Sequence, residues 1–208
     1  ALPIFSMENK GFYRPVAYYL QGWAVKFLGY NDYSIKMLNA GLDSMTVLLV
    51  IAIGWLITKN LWFGLSCGLL YAFLSNVIYL SRIEMVHAET TFLVILSVFF
   101  IIIWYINNDE KKYLPLLSLI ASGVFCSLAA QTHTEIAFLA PSFIIFIILI
   151  QFRTENIKQS FQTSLTHCIV FTFSFFVTYI LIFYLLGFTD SFNVFYNEIF
   201  SNKQHLSE

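Results

Sequence analysis

The sequence predicts an all-α protein, a polytopic transmembrane helix bundle with an amphipathic juxtamembrane helix. Two observations carry that prediction. Of 208 residues, 59% are hydrophobic and only 11% are charged, and the mean hydropathy is +0.75. A water-soluble domain carries about 25% charge, so this chain has too little charge to cover a surface in water. The second observation is the way charges and turn residues divide the chain into apolar runs. Most of them approach the roughly 20 residues a helix needs to cross a bilayer. In an open chain, only helices pair every backbone group within lipid.

The elements follow in order. Residues 1–13 form a polar, irregular start. Pro15 suits the first turn of a helix, where its missing N–H would be unpaired anyway. The helix it opens, Val16 to Leu28, is amphipathic: Leu20, Trp23, Ala24 and Phe27 share a face from which Gln21 and Lys26 are absent. It is too short and too polar to span, and Tyr18, Tyr19 and Trp23 are interface residues, so it is expected to lie along the membrane surface. Gly29 ends it, and Asn31-Asp32 can cap the next helix. About six spans follow: Leu42–Thr58 (helical from about Tyr33), Leu61–Leu80, Glu89–Ile106, Leu114–Gln131, Glu135–Gln151 and Thr166–Phe188. Only Lys59-Asn60 separates the first two. Gly64-x-x-x-Gly68, with Ala72 one step on, marks a small-residue face for close helix packing. The Phe-rich sixth span reads as lipid-facing bulk. The chain thus divides into an external loop at 1–40, a transmembrane bundle at 41–188 and a polar, aromatic external tail at 189–208.

Several function classes are excluded or unsupported. The net charge is −1 and no basic cluster could track a phosphate backbone, so nucleic acid is not an expected partner. Cys67, Cys126 and Cys168 lie far apart in apolar runs and follow no metal-binding pattern; they read as small apolar side chains. There is no G-x-S-x-G, no phosphate-cradling glycine loop and no Cys/His pair in a nucleophile motif. The opening Ala1-Leu2-Pro3, without initiator Met or signal peptide, reads as part of something longer.

Lys59, Lys111, Lys112, Arg153 and Lys158 fall on one side of the expected bundle. Among the short loops opposite, Arg82 is the only basic residue. The positive-inside rule makes the first side cytoplasmic, although the amino-terminal segment facing outward also holds Lys10, Arg14, Lys26 and Lys36.

The outward side gathers ionisable residues near interface depth: Arg82, Glu84, His87 and Glu89 between the second and third spans, and His133 and Glu135 between the fourth and fifth. Charge at that depth is costly and usually faces a cavity or a partner. Two polar turns on one side therefore predict one outward aqueous cavity. Each residue also has a plainer role. Arg82 can snorkel to headgroups, Glu84 and Glu89 can be helix-start carboxylates, and His133 can be a polar turn residue. Glu84-x-x-His87 spaces two potential metal ligands one helical turn apart, a pattern common by chance. No metal or other cofactor is expected from it.

The order of features resembles a known family. Tyr13-Arg14-Pro15-Val16-Ala17-Tyr18-Tyr19-Leu20, then Lys26-Phe27-Leu28-Gly29-Tyr30, then Tyr33-Ser34-Ile35-Lys36-Met37-Leu38-Asn39, is similar to the first external loop of type C glycosyltransferases. These are the dolichyl-phosphate-mannose protein mannosyltransferases and their bacterial aminoarabinose-transferase relatives. Further on, Tyr79-Leu80-Ser81-Arg82 with an acidic residue opening the next helix, and Leu128-Ala129-Ala130-Gln131-Thr132-His133, stand where the family has comparable motifs. The resemblance covers roughly residues 13–150. His133 takes the place of a Lys in the family pattern.

That resemblance implies a multi-pass enzyme of the plasma (inner) or endoplasmic-reticulum membrane, with its polar cavity facing outside or into the lumen. It would transfer a sugar from a polyprenyl-phosphate-linked donor to an extracytoplasmic hydroxyl. A carboxylate would deprotonate the acceptor, and basic residues would stabilise the departing phosphate. The family's catalytic Asp is expected upstream of residue 1; Glu8 is the only acid before Pro15. Arg14 and Arg82 are the candidates for the phosphate, and Arg14, Arg82, Glu84, His87, Glu89, His133 and Glu135 for the donor and substrate cavity. The alternatives are a lipid-linked saccharide flippase or transporter, or a non-catalytic membrane scaffold. A transporter would show broken helices and repeat symmetry, whereas Pro115 and Pro141 sit near expected helix ends and no repeat is visible.

Overall fold

The computed structural model describes residues 14–29, 32–74, 87–107, 113–151 and 157–185. Among them every element is helical. The helices are α1 (Pro15–Leu28), α2 (Asp32–Thr58), α3 (Leu61–Phe73), α4 (His87–Asn107), α5 (Tyr113–Thr132), α6 (Leu139–Gln151) and α7 (Ile157–Leu185). A short 3-10 turn, Thr134–Phe138, joins α5 to α6. Four segments are long and apolar enough to cross a membrane: Tyr33–Thr58, His87–Asn107, Tyr113–Thr132 and Phe161–Ile182. Two of the expected spans correspond to shorter apolar helices, Leu61–Phe73 and Glu135–Gln151. The expected Leu61–Leu80 span continues beyond Leu74 into residues outside the described set.

Local signals set the ends of the elements. Pro15 occupies the first turn of α1, and Gly29 closes it at φ 93° with its N–H on the Val25 carbonyl. Only glycine adopts that backbone readily. Ser34 Oγ donates to the Gly29 carbonyl at 2.5 Å and ties α2 to the end of α1. The Lys59-Asn60 connection is a tight turn: Lys59 takes a positive φ of 56°, and Asn60 Oδ1 accepts from the N–H groups of Trp62 and Phe63 to cap α3.

α2 and α3 pack antiparallel through glycine. A Cβ on Gly64 would stand 2.5 Å from the Ile51 carbonyl oxygen, and one on Gly54 would stand 2.9 Å from Gly64 Cα. Gly68 lies against the Ile51 side chain in the same way. The small-residue face expected from Gly64-x-x-x-Gly68 is thus a backbone-to-backbone contact. α4 and α5 pack antiparallel through hydroxyls instead. Ser97 Oγ donates to the Ser122 carbonyl at 2.8 Å, and Ser122 Oγ donates back to the Ser97 carbonyl at 3.0 Å. Nearer the other end of the pair, the Thr90 and Thr132 hydroxyls meet at 2.8 Å.

The core lies among α4, α5, α6 and α7. Ile101, Trp104, Leu119, Cys126, Ile147 and Phe171 are buried there together. This corrects the reading of the last span as lipid-facing bulk. Phe171 and Phe175 turn inward, while Phe173, Phe176 and Ile180 on the same helix are exposed. α7 can approach α5 that closely because Gly123 sits against the Phe171 carbonyl and the Ser174 side chain.

α1 packs on α2 and α5, and not by its bulky face. Pro15, Ala17 and Ala24 are buried, whereas Trp23 is 65% exposed and Phe27 74% exposed. Their rings meet edge to face at 6.1 Å on the outside of the helix. The amphipathic face of Leu20, Trp23, Ala24 and Phe27 is therefore divided, with Ala24 inward and the aromatic residues outward. Between a bundle and lipid both faces are apolar, and small residues win the protein side because they allow close approach.

Candidate functional site

The polar residues converge at the end of the bundle where α1 sits. α4 starts at His87, two residues ahead of the apolar run expected from Glu89, so His87 and Glu89 both belong to its first turn. Glu89 is completely buried, at 0% exposure. Gln21 Nε2 of α1 donates to Glu89 Oε1 at 2.9 Å. Glu89 Oε2 has no hydrogen-bond partner. Asp43 of α2 lies within electrostatic reach of the same carboxylate. A helix-start carboxylate favoured by the helix dipole would normally be solvated; this one is enclosed beneath the juxtamembrane helix.

His133 follows the last residue of α5 in extended backbone, which lets its ring swing back toward α4. The His87 and His133 rings stack with centroids 6.2 Å apart. His133 Nδ1 stands 3.9 Å from Glu135 Oε2, close enough for an ion pair when the imidazole is protonated. Glu135 itself is largely exposed. Arg14, the residue before α1, lies within electrostatic reach of His87. The two turns carrying His87 and His133 therefore meet at one end, with Arg14 and Glu135 beside the imidazole pair and the Glu89 carboxyl buried under α1.

Glu8, Arg82 and Glu84 lie outside the described residues. Among the described residues, no group of three or more His, Cys, Asp or Glu side chains is placed to hold a metal ion.

Three further participants emerge. Gln21 lies off the apolar face of Leu20, Trp23 and Phe27, yet it is the residue that reaches Glu89. The spacing of Ala17, Gln21 and Ala24 at i, i+4 and i+7 puts all three on one helical face, a sequence signal for this contact. Gln131 is 2% exposed, and neither its Oε1 nor its Nε2 has a partner. Ser127, one turn earlier on α5, likewise has an unpartnered buried hydroxyl. A separate polar contact closes the far end of α4: Gln151 Nε2 lies 3.2 Å from His167 Nδ1, and His167 meets Trp104 edge to face at 5.3 Å. Neither Gln151 nor His167 stands in a recognisable motif.

Chemically, the α1 end offers a buried carboxylate with one oxygen held and one open, an amide open at both ends, a threonine hydroxyl pair, and an imidazole pair near a guanidinium. Such a set can bind hydroxyl groups and, beside them, an anion. In comparison with known proteins, the chain matches no family model, no curated protein and no solved structure.

Proposed function

We propose that this chain is the membrane domain of a glycosyltransferase that moves a sugar from a polyprenyl-phosphate donor to a hydroxyl acceptor on the extracytoplasmic side. The observation that carries the proposal is the meeting, under a juxtamembrane helix, of the His87–His133 pair and Arg14 with the buried Glu89. The sequence resemblance to type C glycosyltransferases, carried by the Tyr13–Asn39 stretch, points the same way.

In this reaction the acceptor O–H loses its proton to a carboxylate, and the oxygen attacks the anomeric carbon. The bond to the phosphate oxygen breaks, and the polyprenyl phosphate departs with the electron pair. Negative charge grows on phosphate in the transition state, so preorganised donors and cations there lower the barrier. Arg14, Arg82 and the two imidazoles take that role, and a guanidinium fork matches phosphate oxygens better than an ammonium does. Glu8 is this chain's own candidate for the base. The membrane is the plasma (inner) or endoplasmic-reticulum membrane, with the α1 end outside or in the lumen. The loop charges Lys59, Lys111, Lys112 and Arg153 support that orientation.

The test is transfer from a lipid-linked sugar by the full-length protein, at matched expression of each variant. Arg82→Ala is expected to cost several kcal/mol of transition-state stabilisation, roughly 10²–10³ in rate, with Arg82→Lys recovering only part. Alanine and wild type turning over equally would remove Arg82 from the phosphate site, and a snorkelling Arg would accept Lys almost fully.

A further inference from the structure

The contact between Thr90 and Thr132 sets a direction for their neighbours. In two antiparallel helices that face each other through one residue each, the residue preceding each contact lies on the same flank of the pair, because both step about 100° back around oppositely directed axes. Those residues are Glu89 on α4 and Gln131 on α5, and Ser127 stands one turn before Gln131 on the same side of α5. α1 covers that flank: it packs on α5 and sends Gln21 Nε2 to Glu89 Oε1 at 2.9 Å. Glu89 Oε2, Ser127 Oγ and both polar atoms of the Gln131 amide are enclosed there and have no hydrogen-bond partner among the described residues.

Seating α1 therefore removes water from these groups and gives back one bond to Glu89, an unfavourable exchange for a buried carboxyl and amide. Packing returns little more. The residues that α1 buries are the small Pro15, Ala17 and Ala24, while Trp23 and Phe27 face away from the bundle. A lifted α1 would let water reach Glu89 and Gln131, and its aromatic residues would lose no contact with the bundle. Seated and lifted states thus lie close in free energy, the condition for an element that opens locally while the bundle holds. A joint is also present. α1 ends at Gly29, whose φ of 93° is open to glycine and strained for other residues. Ser34 Oγ holds the Gly29 carbonyl to α2. Rotation about the Gly29 N–Cα bond therefore swings α1 and leaves that anchor in place.

We infer that α1 is a lid, hinged at Gly29 and latched by the Gln21–Glu89 bond, that lifts to open the Glu89–Gln131 flank to water. The two sides of the contact act in opposite senses. Gln21 holds the lid down through Glu89 Oε1. The Gln131 amide, enclosed and unpaired only while α1 is seated, pushes toward the lifted state. The inference goes beyond the transferase reading and does not depend on it, since it concerns how the covered end of the bundle opens and not what then enters.

The experiment uses the full-length protein in lipid nanodiscs. A water-soluble carbodiimide with glycine ethyl ester modifies carboxyl groups that water reaches, and mass spectrometry follows Glu89 and Glu135 in the same sample. Glu135, with 83% of its side chain exposed, is the standard for an open carboxyl. In the wild type Glu89 is expected to react more slowly than Glu135 but to completion. Gln21→Leu removes the latch and should speed Glu89 about tenfold, the scale of a lost hydrogen bond to a charged group. Gln131→Leu frees the seated state of an unpaired amide and should slow Glu89 at least about fivefold. Glu89 left unmodified in both the wild type and Gln21→Leu overturns the lid, and so does faster reaction in Gln131→Leu. Cys126, 1% exposed in the core, reports any wider opening. It should stay unreacted toward N-ethylmaleimide over the same interval. Cys126 reacting in step with Glu89 would assign the exposure to unfolding of the bundle and overturn the lid as well. Should a variant fail to fold, the wild-type rates of Glu89, Glu135 and Cys126 decide alone.

Discussion

The α2–α3 pair and the α4–α5 pair are both antiparallel hairpins, and they are held together by opposite means. Between α2 and α3 the backbones touch at Gly54, Gly64 and Gly68, with Ile51 filling the remaining space. Between α4 and α5, Ser97–Ser122 and Thr90–Thr132 join the two helices with hydroxyls. Lipid is as apolar as leucine, so hydrophobic burial does not drive two helices together there; close packing and interhelical hydrogen bonds do. Each hairpin relies mainly on one of those two forces. The glycine pair leaves most of α3 exposed, including Trp62, Leu70 and Phe73. The hydroxyl pair lies in the centre of the bundle and carries the polar site at its end.

The contrast can be broken at its steric side first. Gly64→Leu must push the Ile51 carbonyl away, and overpacking of this kind costs about 1–3 kcal/mol, here toward the upper end. A titration of the detergent-solubilised protein with denaturing detergent would read the loss. Wild-type stability in that variant would show that α2 and α3 do not meet through Gly64. Gly123→Ala tests whether a glycine in the hydroxyl-rich region acts the same way. Its methyl would meet the Phe171 carbonyl at 2.8 Å and the Ser174 hydroxyl, of which only the hydroxyl can rotate aside. An intermediate cost of about 1–2 kcal/mol is expected, with partial relief from a second substitution, Ser174→Gly. Absence of relief would place the strain wholly on the Phe171 carbonyl. The smallest effect belongs to Ser97→Ala. Interhelical hydrogen bonds in membranes average about 0.6 kcal/mol, so the variant should lose about that much. A double-mutant cycle with Ser122→Ala should show positive coupling; simple additivity would mean that the two hydroxyls do not act as one clasp.

Much of the fold is legible in the sequence, because membrane thickness sets run lengths and turns need particular residues. Pro15, Gly29 and the Lys59-Asn60 turn mark helix ends by backbone chemistry that no environment overrides. Which face a helix buries is far less legible. In water an apolar stripe identifies the core side, but in lipid both sides are apolar. Trp23 and Phe27 accordingly point away from the bundle while Ala17 and Ala24 point into it. The same ambiguity hides Phe171 and Phe175 among the outward phenylalanines of α7. At the candidate site, the clustering of His87, Glu89, His133 and Glu135 at one end follows from hairpin topology alone. The pairing of Glu89 with Gln21 does not, because it depends on where α1 lands. Gln131 sits inside an otherwise small, apolar stretch, and its two unpartnered amide atoms become visible only with its burial.

The Gln21–Glu89 bond joins residues 68 positions apart. Chains are synthesised from the amino terminus at roughly 5–20 residues per second, so Glu89 emerges about 3–14 s after Gln21. Throughout that interval α1 has no carboxylate to hold, and its docking surface on α5 is later still. The helix that closes the polar end is therefore made before α4 and α5 and completes its contacts only after them. The site is assembled only once the hydroxyl-clasped hairpin stands in place, and until then α1 has only α2 to pack against.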